Sequence, residues 1–172
     1  MQPVMETILH RRSIRRFAPE QIREETLAQI LQAGLYAPSG RGAQPVVFVV
    51  VQDQATLAEL SRLNAAVMGA DTDPFYGAPT VVVVLADGGR PTWLQDGSLV
   101  MGNLMNAAAS LGVGSCWINR AIELFDMPEG KELLNKWGLP DTLRGVGHCV
   151  LGYADGPAPA PKPRKEGYIV RP

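Results

Sequence analysis

Thr80-Val81-Val82-Val83-Val84-Leu85 is an uncharged and almost wholly β-branched run, with Gly77-Ala78-Pro79 in front of it. β-Branched side chains suit a pleated strand better than a helix. The lack of polar alternation gives both faces of this strand to a core. Val46-Val47-Phe48-Val49-Val50-Val51, after Gln44-Pro45, repeats the pattern and is likewise expected as a strand buried on both faces. Further along, Gly112-Val113-Gly114-Ser115-Cys116-Trp117-Ile118 reads as a glycine turn and short strand, and 145–152 contains the last strand of the sheet.

Helical spacing separates these runs. A short helix is expected over 3–10, where Val4, Met5 and Ile8 share a face, and an amphipathic one over about 22–36. In the latter Ile22, Leu27, Ile30, Leu31 and Leu35 recur at helical intervals, Glu24 and Glu25 favour its N-terminal end, and Pro38-Ser39-Gly40 stops it. Further helices are expected over about 54–66, 93–111 and 128–137, the last closed by Gly138. Helices alternating with apolar strands give an α+β or α/β class, with helices on both faces of one sheet. No internal repeat is visible.

The 172 residues suffice for one domain with a real core. A formal charge of −1 supplies no overall field to recruit nucleic acid or an anionic membrane. Cys116 and Cys149 are expected as reduced, buried thiols. His148 precedes Cys149, but neighbours on a strand point to opposite faces and cannot share a metal. The N-terminus lacks a basic segment followed by a long apolar run, and no apolar run is long enough to span a bilayer. The expectation is a soluble, cytoplasmic protein without a metal site.

Several chemistries lack their tools. Gly112-Val113-Gly114 and Gly145-Val146-Gly147 both miss the third glycine of a dinucleotide fingerprint. No phosphate-binding Walker loop, nucleophile elbow or zinc-protease helix is present. Asp71 and Asp73 lack the companion oxygens of a calcium loop and read as a solvated turn. Either the chain is no enzyme, or a cofactor performs the chemistry.

Four features bear on that choice. Arg11-Arg12-Ser13-Ile14-Arg15 gathers three cations and a hydroxyl, a set that suits a phosphate or the electron-rich edge of a flavin, a solvated basic turn, or a nucleic-acid patch. Lys162, Arg164 and Lys165 form a second basic cluster, either solvated or completing a dianion site with the first. The 93–111 helix is apolar on nearly every side, as a core helix or as one that also builds a dimer interface. The proline-rich stretch 155–172 ends in Tyr168-Ile169-Val170 and is either disordered or an extended arm on a partner subunit.

Taken in order, Met5–Phe17 with its Arg11-Arg12-Ser13-Ile14-Arg15 core, Ala37-Pro38-Ser39-Gly40, Gln44-Pro45, Gly77-Ala78-Pro79, Asp96, Asn103, the 112–118 segment, Gly152-Tyr153 and Lys162-Pro163-Arg164-Lys165 resemble the nitroreductase family over almost the whole chain. The resemblance implies an α+β sandwich: a central, mostly antiparallel sheet flanked by helices. It also implies an FMN-binding domain over 1–154, an extended C-terminal arm over 155–172, and a homodimer with FMN at the subunit interface. Arg11 and Ser13, with Arg12 adjacent, then resemble the ligands of the FMN phosphate and ribityl oxygens. Arg15 resembles the cation that supports the reduced flavin. Lys162 and Arg164 look like the tail residues that complete phosphate binding, and Asn64 sits where a polar side chain reaches the flavin pyrimidine. Pro38, Ser39 and Gly40 resemble the segment lent by a second subunit. Cys116, Trp117 and Ile118, continuing to Asn119, fit the stretch beside flavin N5. Val46, where an aromatic residue is common, and Ala43, where a polar one is common, depart from the pattern.

The activity so implied is reduction of nitroaromatics, quinones or related acceptors with electrons from NAD(P)H, by ping-pong chemistry at the flavin. Two alternatives stand beside it: a dedicated flavin-reductase, enone or dehalogenation step on the same fold, and a non-catalytic FMN-binding redox sensor or flavin carrier.

Overall fold

In the computed structural model, which describes residues 2–172, the valine runs become the framework of one sheet. The elements are α1 (Pro3–His10), α2 (Glu24–Leu35), a single 3-10 turn (Gly40–Gly42), β1 (Val46–Val51), α3 (Gln54–Met68), β2 (Thr80–Asp87), α4 (Trp93–Ser110), β3 (Gly114–Ile118), α5 (Ala121–Asp126), α6 (Pro128–Lys136) and β4 (Leu143–Gly152). The strands lie in the order β1-β2-β4-β3, and every neighbouring pair is antiparallel. This is an α+β sandwich.

β2 and β4 occupy the middle, and alternation along β2 sorts its side chains between two cores. Val81, Val83 and Leu85 join Leu60, Leu124 and Phe125 under α3, α5 and α6. Val82, Val84 and Ala86 join Leu27, Ile30, Met101 and Leu104 under α2 and α4. The same alternation separates His148, which lies against Phe75 and Phe125, from Cys149 in the opposite core.

Three expectations change. β1 is an edge strand, half-buried along most of its length with Val50 exposed, rather than sealed on both faces. A β-branched run records strand preference and cannot distinguish an edge from a centre. α5 was not anticipated, because six residues are too few for a helical period to register. Asp73 is not simply solvated: it accepts hydrogen bonds from Ser61 Oγ and from the backbone N–H groups of Phe75 and Gly77, and so builds the turn before β2.

α4 buries Asp96, Gly97, Val100, Met101, Leu104 and Ala108 on one side, and leaves Leu94 and Leu99 exposed on the other. α1 has no buried residue, and its Val4, Met5, Ile8 and Leu9 all face outward. Residues 155–172 carry no regular structure and are exposed. Among the described residues no helix is long and apolar enough to cross a membrane.

Gly97 sets how closely α4 approaches the sheet. A methyl group there would lie 2.4 Å from a Val146 methyl. Gly97→Ala gains about 1 kcal/mol of helix preference, but overpacking costs about 1–3 kcal/mol. Urea denaturation should therefore register a net loss of stability, and a more stable variant would contradict this packing.

Candidate functional site

α1 delivers the basic segment to the sheet. Arg12 Nη1 donates to the Leu9 carbonyl at 2.9 Å and to that of Arg11 at 2.7 Å, satisfying acceptors left over at the helix end. The chain then runs along the free edge of β3. Ser13 bridges Ser115 in parallel sense, and Ile14 N donates to Ser115 O at 2.9 Å. Four residues later Ala18 N donates to Tyr153 O at 2.9 Å, while Phe17 bridges Ala154.

Two apolar side chains fix the register of this segment. Ile14 and Phe17 are each 9% exposed and belong to the core. Ile14 fits because Gly114 has no side chain: a Cβ there would stand 3.0 Å from Ile14 Cγ1 and from Gly152 O. With Ile14 and Phe17 turned inward, Arg15 and Arg16 face solvent. Arg16 pairs with Asp155 at 2.8 Å, whereas Arg15 takes part in none of the ion pairs among the described residues.

Arg11 occupies a different environment. Its Nη1 is buried with no hydrogen-bond partner, and so is the Ser115 hydroxyl nearby in the same edge arrangement. A buried donor left unpaired is costly, so Arg11, half-buried as a residue, has unused hydrogen-bonding capacity that suits an anion. The residue lines a cavity of about 590 Å³ together with Glu6, Arg12, Ile14, Gly112 and Gly114. An orphaned cation, a second arginine and a glycine turn in one cavity match the demands of a phosphate.

The other expected residues divide into separate groups. Lys162 and Arg164 stand on the exposed tail, and the lining of the Arg11 cavity ends at Ala154. Pro38, Ser39 and Gly40 sit in the loop after α2, where Pro38 and Ser39 line a second cavity with Asp96 and Val46. Cys116 and Ile118 turn into one core, and Trp117 packs against the other with its Nε1 buried and unpaired. Ala43 is half-buried in the same loop.

Asn64 is completely buried, and its amide is engaged within the chain. Nδ2 donates to Asn119 O at 2.8 Å and lies 3.5 Å from His148 Nδ1, while Oδ1 accepts from Arg120 Nε at 3.0 Å. Arg120 reaches inward from a left-handed backbone with φ 73°. Sequence reasoning missed this polar knot, because its members come from α3, the β3–α5 turn and β4. Burial pushes His148 down to about 4, a tendency that a backbone hydrogen bond at Ile118 opposes and the Arg120 charge reinforces. Burial also pushes the Cys149 thiol up to about 12, aided by Cys116.

The model of the nitroreductase family matches residues 8–153. The chain belongs to this family. As a nitroreductase-family member it is 32% identical over 173 residues to a protein of Archaeoglobus fulgidus assigned as an NADH dehydrogenase/NAD(P)H nitroreductase, an alignment covering 98% of this chain and 91% of that protein. It is 31% identical to the NADPH-flavin oxidoreductase of Vibrio harveyi, over 99% of this chain and 73% of that one. Among solved structures, a nitroreductase of Bacteroides fragilis with bound FMN superposes with a TM-score of 0.91 at 33% identity, covering 99% of both chains.

The depressed His148 makes folding of this family member sensitive to acid. The unfolded chain takes up a proton on this imidazole below about 6.5, the folded chain only below about 4. Stability is full above the upper value and falls as pH drops towards the lower, by about 3 kcal/mol. Urea titrations between pH 7 and pH 4 should give His148→Gln a shallower loss than the parent chain. Equal slopes would contradict the buried neutral imidazole.

Proposed function

We propose that this nitroreductase-family chain, an FMN-dependent oxidoreductase fed by NAD(P)H, works as a homodimer that reduces nitroaromatic, quinone or related acceptors. The observation that carries the reading is Arg11, whose Nη1 is without a hydrogen-bond partner and whose side chain shares one cavity with Arg12 and the Gly112–Gly114 turn. Bound FMN would supply the two-electron chemistry, with donor and acceptor using the site in turn in a ping-pong order.

The protein's own share is binding, orientation and electrostatics. Arg11 and Ser13, with Arg12 beside them, hold the phosphate and ribityl oxygens. Exposed Arg15, three residues or less from the inward anchors Ile14 and Phe17, supports negative charge at the flavin N1 edge. The backbone of Cys116, Trp117 and Ile118 lines the ring. Pro38, Ser39 and Gly40 serve the flavin of the other subunit, and the 155–172 arm brings Lys162 and Arg164 to a phosphate as it crosses the dimer. Water supplies the protons.

Three surfaces support a second copy: α1 with all its apolar side chains outward, the Leu94 and Leu99 side of α4, and the tail tip, where Ile169 and Val170 are each 80% exposed. Exposed apolar side chains clustered on an element mark an interaction face. The two cysteines are free and buried, which supports a reducing, cytoplasmic setting. The Vibrio harveyi relative favours a second reading, in which free flavin is itself the acceptor.

The test is spectroscopic. The purified protein should be yellow, release FMN on denaturation, bleach on addition of NADH or NADPH, and recover its colour with a quinone over many turnovers. Arg11→Ala should weaken FMN binding roughly tenfold or more, the loss of one charge-assisted hydrogen bond. Arg15→Ala should slow bleaching or weaken FMN. A colourless protein that refuses added FMN overturns the proposal, and a bound flavin that neither nicotinamide bleaches favours the sensor or carrier.

A further inference from the structure

We infer that Asp96 is a positioning residue, whose buried carboxylate holds the Pro38–Gln44 loop in the shape with which one subunit meets the flavin of the other. This inference rests on the function proposed above and adds a residue to it that touches neither flavin nor substrate.

Asp96 lies in the first turn of α4 and is 3% exposed. A carboxylate so deep in a core is unfavourable unless its oxygens are satisfied. Each has a partner: Oδ1 accepts from Gly40 N at 2.9 Å, and Oδ2 accepts from Thr92 Oγ1 at 2.9 Å. The ion pairs among the described residues use other acids, so hydrogen bonds and the helix N-terminus are what stabilise it. One of those bonds leaves α4 altogether and ends on the loop backbone.

That loop needs holding. Arg41 and Gln44 are side-chain-bearing residues in the left-handed region, with φ 56° and 48°, a conformation that persists where surrounding contacts impose it. Packing imposes it only in part, because Gln44 borders a cavity of about 210 Å³ lined by Gly34, Val46, Phe48 and Val100 as well as by Asp96. Polar contacts take over. Gln44 N donates to Ser39 Oγ at 3.0 Å and closes the loop on itself, and the Gly40–Asp96 bond ties it to α4. The fit is close, since a Cβ on Gly40 would stand 2.6 Å from Thr92 Oγ1. An apolar residue at 96 would fill the core equally well and leave the loop untethered.

Hydrogen exchange of the purified chain, read by mass spectrometry with and without FMN, tests this. In Asp96→Ala the amides of 39–44 should exchange about tenfold faster or more, the loss expected for one charge-assisted bond, while those of β2 keep their parent rates. FMN affinity should fall by a similar factor. Asp96→Asn, which retains an acceptor for Gly40 N, should restore both loop protection and affinity, an outcome that a general packing defect would not produce. Should Asp96→Ala fail to fold, Thr92→Val, which frees one carboxylate oxygen, should give loop exchange intermediate between the parent and an untethered loop. Unchanged loop exchange in the variants, or a loosened loop with undiminished FMN affinity, overturns the inference. A parent chain that binds no FMN is failure of the functional reading; an unmoved loop beside normal FMN binding is failure of this inference alone.

Discussion

Between Ser13 and Ala18 a basic segment is fastened to the sheet by its backbone, through Ile14 N to Ser115 O and Ala18 N to Tyr153 O, both at 2.9 Å. Ile14 and Phe17 drive this docking by entering the core. Their inward turn decides that Arg15 and Arg16 face out and that Arg11, just before the segment, is trapped with a buried and unpaired Nη1. The β3 edge would otherwise offer unpaired backbone groups to any passing strand. The segment covers part of that edge, through the Ser13–Ser115 bridge and the Ile14 N–Ser115 O bond.

The sandwich itself is nearly complete in one chain, and the surroundings of the site are not. β2 and β4 are sealed between two cores, whereas α1 buries nothing and α4 leaves Leu94 and Leu99 outside. Arg11 and the Pro38–Gln44 loop border different cavities, and the tail cations line neither within the chain. The proposed second copy would account for the exposed apolar surface and the dispersed candidate ligands together. It would also give a task to the proposed Asp96 tether of the Pro38–Gln44 loop.

The sequence announces some of this and conceals the rest for physical reasons. β2 and the helices α2, α3, α4 and α6 were legible because hydrophobic period and turn formers are local signals. β1 was read as a strand but not as an edge, because edge or centre depends on what pairs with it. α5 is too short for a period. The Arg11–Arg15 segment stood out by composition and by resemblance to a family, yet its anchoring by Ile14 against Gly114 is a contact across a hundred residues. Asn64 was marked as a polar side chain for the flavin, and its engagement with Asn119, Arg120 and His148 arises only once α3, the β3–α5 turn and β4 meet. Asp96 was noticed as part of a pattern, and nothing local to it reveals that Gly40 is its partner.

We propose that this fold binds flavin between two copies of itself and not within one. Sedimentation velocity followed at a flavin wavelength and at a protein wavelength tests it directly. The account predicts that flavin absorbance sediments with a species of twice the chain mass, at one FMN per chain, and that dilution which splits the dimer releases the flavin. Flavin that travels at full occupancy with a species of single-chain mass would contradict it.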